Sequence, residues 1–259
     1  RATWPWLLYA LAPAGLRRTA LRQVMLGYCA VTLLTAALVW LFLPPDDGPR
    51  VRGPAPGRSL LRNAGAVLRL PAVWLQALIV FCAYVGYKGF DNFSLYAVEA
   101  RGIDAAQASE LVAIGAWMRP LAALGCGLLG DVSRPSRVIA LLFAVMLASD
   151  LYFALATPAM LAGWLLTGNM VLTCIAIFGL RGLYFALFAE SSVPRAMTGT
   201  AAGLVSVVGF LPEIFVTLVA GILVDHYPGI TGHQYFFGFL AAFAATGLAA
   251  ALLLSRRSV

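Results

Sequence analysis

Lys88 and Asp91 stand three residues apart inside an otherwise apolar run, YVGYKGFDNF. At that spacing they share one face of a helix. Tyr84 lies one turn before Lys88 on the same face, and Asn92 follows Asp91, rotated by about 100°. Gly86 and Gly89 flank the pair and allow the helix to bend or a second helix to approach. A charge at the centre of a bilayer costs about 2.5–3.5 kcal/mol on insertion scales, so such residues pair up or line a cavity. Two readings follow: a solute-facing polar cluster on a bendable span, or a self-neutralising ion pair turned toward a neighbouring helix.

Other charges sit in comparable surroundings. Arg119, followed by Pro120, has no acid within four residues on its own helix. Its planar guanidinium suits a carboxylate or a phosphate, which it can grip with two hydrogen bonds; the alternative is a structural pair with Asp91, Asp150 or Glu213. Arg181 and Tyr184 are one helical step apart. They could contact solute, or Arg181 could snorkel to the interface or bridge to Glu190. Glu213 follows Pro212 in GFLPEIF, where the proline can kink the helix. Glu213 and Asp91 are therefore candidates for carrying a coupling proton, and Glu213 alternatively a fixed countercharge for Lys88 or Arg119. Asp150 reads as structural pairing, the run Gly199, Gly203, Gly209 as close helix packing, and His226 and His233 as solvated residues of an outer loop.

The elements that must carry these residues are membrane spans. Of 259 residues 61% are hydrophobic and 11% charged, with a mean hydropathy of +0.87. An ordinary soluble domain is about 45–50% apolar and about 25% charged. The supply of apolar residues allows about eight spans of about 20 residues each. The apolar runs are long and do not alternate, which favours helices over a barrel. They fall near 22–43, 72–98, 107–130, 138–156, 160–188, 198–224 and 234–254. Residues 2–14 read as the tail of a further span whose beginning is absent. The four cysteines lie singly in apolar runs with no metal-ligand spacing, and no motif calls for a cofactor or metal. No HExxH, GxSxG or P-loop is present, so no catalytic residue is nominated and the chain is read as a non-enzyme.

The one long polar segment, 44–70, holds Pro, Gly and five arginines and reads as a cytoplasmic linker, its end forming a short amphipathic surface helix. With the linker inside, Arg134, Arg137, Arg195, Arg256 and Arg257 also fall inside, against Arg17, Arg18, Arg22 and Arg101 outside. That bias supports the orientation. It also makes the net charge of +7 a matter of membrane topology, with no nucleic acid as partner. GLLGD (127–131) closes one span on the inside and GILVD (221–225) another on the outside, as an inverted three-plus-three repeat would give.

Six spans behind a basic linker, with GLLGDVSRPSRV closing the second, resemble the C-terminal half of a major facilitator superfamily transporter. Gly127 and Asp131 match the family's loop motif and Arg134 and Arg137 supply its basic charge, while Val132 stands where a basic residue is usual. The stretch Arg181–Phe215 is similar to a bacterial branch of sugar-phosphate and organic-anion permeases. The resemblance implies an all-α integral membrane protein with a major-facilitator-type bundle. The chain would be a fragment with about seven full spans: residues 1–43 the end of an N-terminal bundle, 44–70 the linker and 71–259 a C-terminal six-helix bundle. It implies a multi-pass protein of the bacterial inner membrane. Its partners would be the lipid bilayer, a small solute and the missing N-terminal half of the same chain.

The expected function is secondary transport of a small, anionic solute by alternating access, with proton coupling. Tyr84, Lys88, Asp91, Asn92, Arg119, Arg181 and Tyr184 would bind solute, Asp91 or Glu213 would couple the proton, and Gly127, Asp131, Arg134 and Arg137 would form a gating loop. Alternatives are a non-transporting structural fragment, a membrane-embedded enzyme, which needs nucleophiles or metal ligands clustered at one depth, and a channel, which needs a continuous polar stripe.

Overall fold

A computed structural model of the chain describes residues 14–42, 64–157, 163–191, 193–194 and 197–257. Among them there is helix and turn and no strand. The expected partial span over 2–14 lies outside the described residues except for Ala14. So do most of the linker, the turn at Pro158 and Arg195. Two compact units, Arg1–Gly53 and Pro54–Val259, divide within the polar linker.

The first unit holds one described helix, α1 (Ala14–Phe42), of which Arg22–Phe42 is long and apolar enough to cross a membrane. The second unit holds six more such spans, within a few residues of the positions that hydropathy sets. Four of the six are single helices: α4 (Ala105–Val132), α5 (Pro135–Leu155), α6 (Gly163–Leu183) and α9 (Ile230–Arg257). The other two are built in pieces. α2 (Pro71–Gly89) passes through a 3-10 turn, Phe90–Asn92, into α3 (Phe93–Arg101). α7 (Thr198–Gly209) breaks before α8 (Pro212–His226).

Local chemistry accounts for most boundaries. Pro71, Pro135 and Pro212 each open a helix, where the missing N–H is an orphan in any case. Gly102, in the left-handed region at φ 62°, ends α3 by donating its N–H to the Val98 carbonyl at 2.8 Å. Pro120 is carried inside α4. Ahead of α2, residues 64–68 form a helical turn. It carries Val67 fully buried, so this part of the expected surface helix packs into the bundle.

The core lies among α2, α3, α5, α6 and α9, centred on rings such as Phe93, Phe153 and Phe237. α2 packs against α9, α7, α8 and α6; α5 packs against α9 and α6; α4 packs mainly on α6. Glycine allows a close approach at Gly209, where a Cβ would run into the Val80 side chain of α2. Gly199 and Gly203 do not share that role: a Cβ at either would meet nothing within 4 Å. The packing reading holds for one of the three, because α7 turns Ala201 and Val205 inward and its other glycines outward.

Candidate functional site

α2 brings Tyr84, Tyr87 and Lys88 to one face, and the 3-10 turn that follows adds Asp91. The break between α7 and α8 sets Phe210 and Glu213 opposite them. Lys88 Nζ lies 2.6 Å from Asp91 Oδ2 and 3.0 Å from Glu213 Oε1. The Tyr84 hydroxyl donates to Glu213 Oε2 at 2.6 Å. The lysine is the covered member of the trio, its side chain 13% exposed against 51% and 54% for the two carboxylates. Lys88 is thus neutralised within its own span, as the ion-pair reading expects, and a second acid arrives from another span.

The arginines are held differently. The Arg181 guanidinium on α6 sits over the Tyr87 ring at 4.1 Å and the Tyr84 ring at 5.8 Å. Arg119 on α4 lies 4.9 Å from the centre of the Phe178 ring and 5.9 Å from that of Tyr87. Their guanidinium carbons are therefore at most about 10 Å apart. Ring faces attract the guanidinium plane and leave its edge N–H donors available. Among the described residues neither arginine makes an ion pair with a carboxylate. Arg119 is not paired with Asp91, Asp150 or Glu213, and Arg181 does not bridge to Glu190.

Glu190 instead accepts the backbone N–H of Ser136 at 3.1 Å, at the start of α5, where the helix dipole favours a carboxylate. Asp150 is 2% exposed, and no charged partner faces it among the described residues; its Oδ2 has no hydrogen-bond partner. The expected structural pairing is absent there, although the neighbouring Ser149 bonds to Asn169 and to the Thr173 hydroxyl across the α5–α6 seam.

Two of the nominated residues make no hydrogen bond to the cluster among the described residues. Asn92 has a buried amide nitrogen with no partner. Tyr184 is a core residue, 3% exposed, whose backbone carbonyl accepts Gln76 Nε2 at 3.1 Å. In the loop segment Asp131, Arg134 and Arg137 are exposed and Gly127 is half-buried. The glycine that packs there is Gly130, against Leu183. His226 is exposed as expected, but His233 is not: it is 1% exposed, with Nε2 2.9 Å from Glu99 Oε2 and its ring edge-on to Tyr96. α9 begins at Ile230, three residues before His233, and so carries it into the bundle. Tyr87, Phe178 and Phe210 were not anticipated. For Tyr87 the signal was present, since it stands three residues after Tyr84 in the same glycine-flanked segment.

No family model matches the chain. Two curated relatives from Escherichia coli (strain K12) do: inner membrane protein YqcE, 28% identical over 94% of this chain and 57% of its own length, and inner membrane protein YihN, 26% identical over 78% and 48%. The chain thus spans about half the length of the curated relatives it matches. Among solved structures, a bacterial homologue of the human lysosomal transporter Spinster, in an inward-facing and unoccupied conformation, matches with a TM-score of 0.61 at 17% identity. It covers 96% of this chain and 62% of that one. The chain shares the fold of that solved structure. Seven apolar spans, that fold and two inner-membrane relatives make the chain a multi-pass inner-membrane protein.

Proposed function

We propose that the chain belongs to a secondary active transporter that moves a small organic anion, a sugar phosphate or a carboxylate, by alternating access. The carrying observation is the division of charge at the site. Lys88 takes both nearby carboxylates, while Arg119 and Arg181 keep their donors unspent beside Tyr87. Both guanidiniums are exposed and, among the described residues, neither touches a carboxylate, so an anion reaching this face would find their donors open. A bidentate grip by each on one phosphate, or on the two ends of a dicarboxylate, would supply that charge.

On this reading Arg119 and Arg181 bind the anion, Tyr84 and Tyr87 orient the guanidiniums, and Lys88 holds Asp91 and Glu213 in place. Glu213 is the coupling candidate. It is half-exposed and sits at the break between α7 and α8, so protonation would loosen both the Lys88 bridge and the Tyr84 bond between two spans. The loop at Gly127, Asp131, Arg134 and Arg137 would steady the closed state on the cytoplasmic side. The fold of the solved neighbour supports transport over catalysis.

The test is uptake into proteoliposomes by the intact protein, with a panel of sugar phosphates, mono- and dicarboxylates, neutral sugars and cations. Uptake confined to anions, and driven by an inward proton gradient, is the expected result. Uptake of cations or neutral sugars with no anion among the solutes would overturn it.

A further inference from the structure

α2 keeps one narrow face accessible along its length. From Trp74 through Leu78, Phe81, Tyr84 and Lys88 to Asp91, steps of three and four residues trace a stripe whose members are all exposed or half-buried. Residues between them, such as Ala77, Val80 and Val85, are fully covered. The charge cluster occupies one end of this stripe. The other end opens into a cavity of about 450 Å³ lined by Arg69, Pro71, Trp74, Leu75 and Leu78.

That cavity has the parts of a binding site. The Trp74 indole N–H donates to the Leu68 carbonyl at 2.8 Å, which ties the ring to the turn ahead of the helix and fixes its face. Arg69 is exposed and makes no ion pair among the described residues. Leu75 and Leu78 complete an apolar floor. The volume is within the range of small-molecule pockets, about 300–1,000 Å³. Trp74 and Lys88 are fourteen residues apart on one helix, which sets this cavity about 20 Å from the cluster along the same face.

We infer that this cavity is a vestibule at the cytoplasmic mouth of the pathway, where a small organic anion with a ring or other CH-rich face docks on its way to or from the arginines. Arg69 takes the anionic group, and the Trp74 face with the two leucines takes the ring. The inference rests on the proposed anion transport and on the orientation that places the linker inside. A cation at the rim of an apolar-walled recess raises the local concentration of anions ahead of the deeper site. A groove so open holds its ligand weakly, as a transit position must.

The test does not need the solute. In a Cys29→Ser background, where the other three thiols are buried, Trp74→Cys and Leu78→Cys are introduced singly into the intact protein. Each is treated in inside-out vesicles with an anionic or a cationic methanethiosulfonate, the 2-sulfonatoethyl and 2-trimethylammonioethyl reagents. The cysteine thiolate attacks the reagent's sulfenyl sulfur, a mixed disulfide forms, and methanesulfinate leaves.

Both positions are expected to react, with the anionic reagent favoured after correction for the intrinsic rates. Arg69→Gln is expected to cut that preference by about threefold, the scale of one exposed charge. Leu95→Cys, an exposed position on α3 one turn beyond Asp91, should not respond to Arg69→Gln. Silence toward both reagents at both positions, as a lipid-facing groove gives, overturns the inference. So does a charge preference that Arg69→Gln leaves unchanged. Labelling as expected alongside uptake of no anion would strike the proposed function and leave the anion-attracting vestibule standing.

Discussion

The bundle keeps polar groups inside the membrane in two ways, and they differ in what is left over. At the α5–α6 seam Ser149, Asn169 and Thr173 satisfy one another, with Ser149 and Thr173 each about 1% exposed. At the face of α2 the polar groups are charged, partly exposed and unequal in number. One lysine meets two carboxylates, and two arginines lie against aromatic faces without an ion pair among the described residues. A polar network closed on itself fixes two helices against each other. A cluster with unsatisfied positive charge invites something mobile. On the proposed reading the contrast separates structural from functional polarity where burial alone does not, since Asp150 is as buried as the seam and yet carries an oxygen without a partner.

Six substitutions, combined into five variants, would break or sharpen that contrast. The largest effect is expected from Arg119→Ala combined with Arg181→Ala: uptake of the anionic solute falls about 100-fold or more, as losing two charge-assisted contacts implies, while membrane insertion stays normal. Retained uptake would place the anion elsewhere. Lys88→Met comes next, with uptake down about fivefold, the upper scale of a half-exposed ion pair. Adding Glu213→Met should recover part of the loss in thermal midpoint, because the unpaired acid is then removed; a double variant no more stable than the single would dissolve the idea that Lys88 serves chiefly as a counterion.

At the seam, Thr173→Val should lower stability by about 1 kcal/mol, read as a drop in melting temperature, and leave uptake per folded molecule unchanged. A loss of uptake there would erase the distinction between the two regions. The smallest effect belongs to Asp131→Ala, expected to slow turnover about twofold with little change in apparent affinity, measured as kcat and KM for the same solute.

Much of this was readable in the chain. The spans follow from apolar runs interrupted by Pro, Gly and Arg, and six of them reappear in the second unit within a few residues. The Lys88–Asp91 contact follows from three-residue spacing on a helix, which needs no tertiary information. The contacts of Glu213 with Tyr84 and Lys88 do need it, since they join residues over 120 positions apart. The sequence limited Glu213 to a few countercharges and could not choose among them.

The same gap explains Glu190, whose partner is a backbone N–H that no side-chain pattern advertises. His233 was misplaced for a different reason. A helix that starts at Ile230, a turn earlier than the apolar run suggests, converts an expected loop residue into a buried one. Gly199 and Gly203 show that glycine spacing marks a helix face without saying whether a neighbour occupies it.

The piecewise construction of two spans has a mechanical meaning. Glu213 stands at the head of α8 and is bound to Tyr84 and Lys88 of α2, so the break before α8 and the turn after α2 lie side by side. α8 spans 15 residues, about 22 Å, and starts at Pro212 directly after the break that ends α7, which on the proposed transport cycle serves as its pivot. A tilt of about 10° at that pivot would carry its far tip about 4 Å, roughly the width of a water molecule or a carboxylate. On the proposed coupling role, a proton arriving at or leaving Glu213 would act beside that pivot, where a small displacement becomes a larger one at the far end of α8.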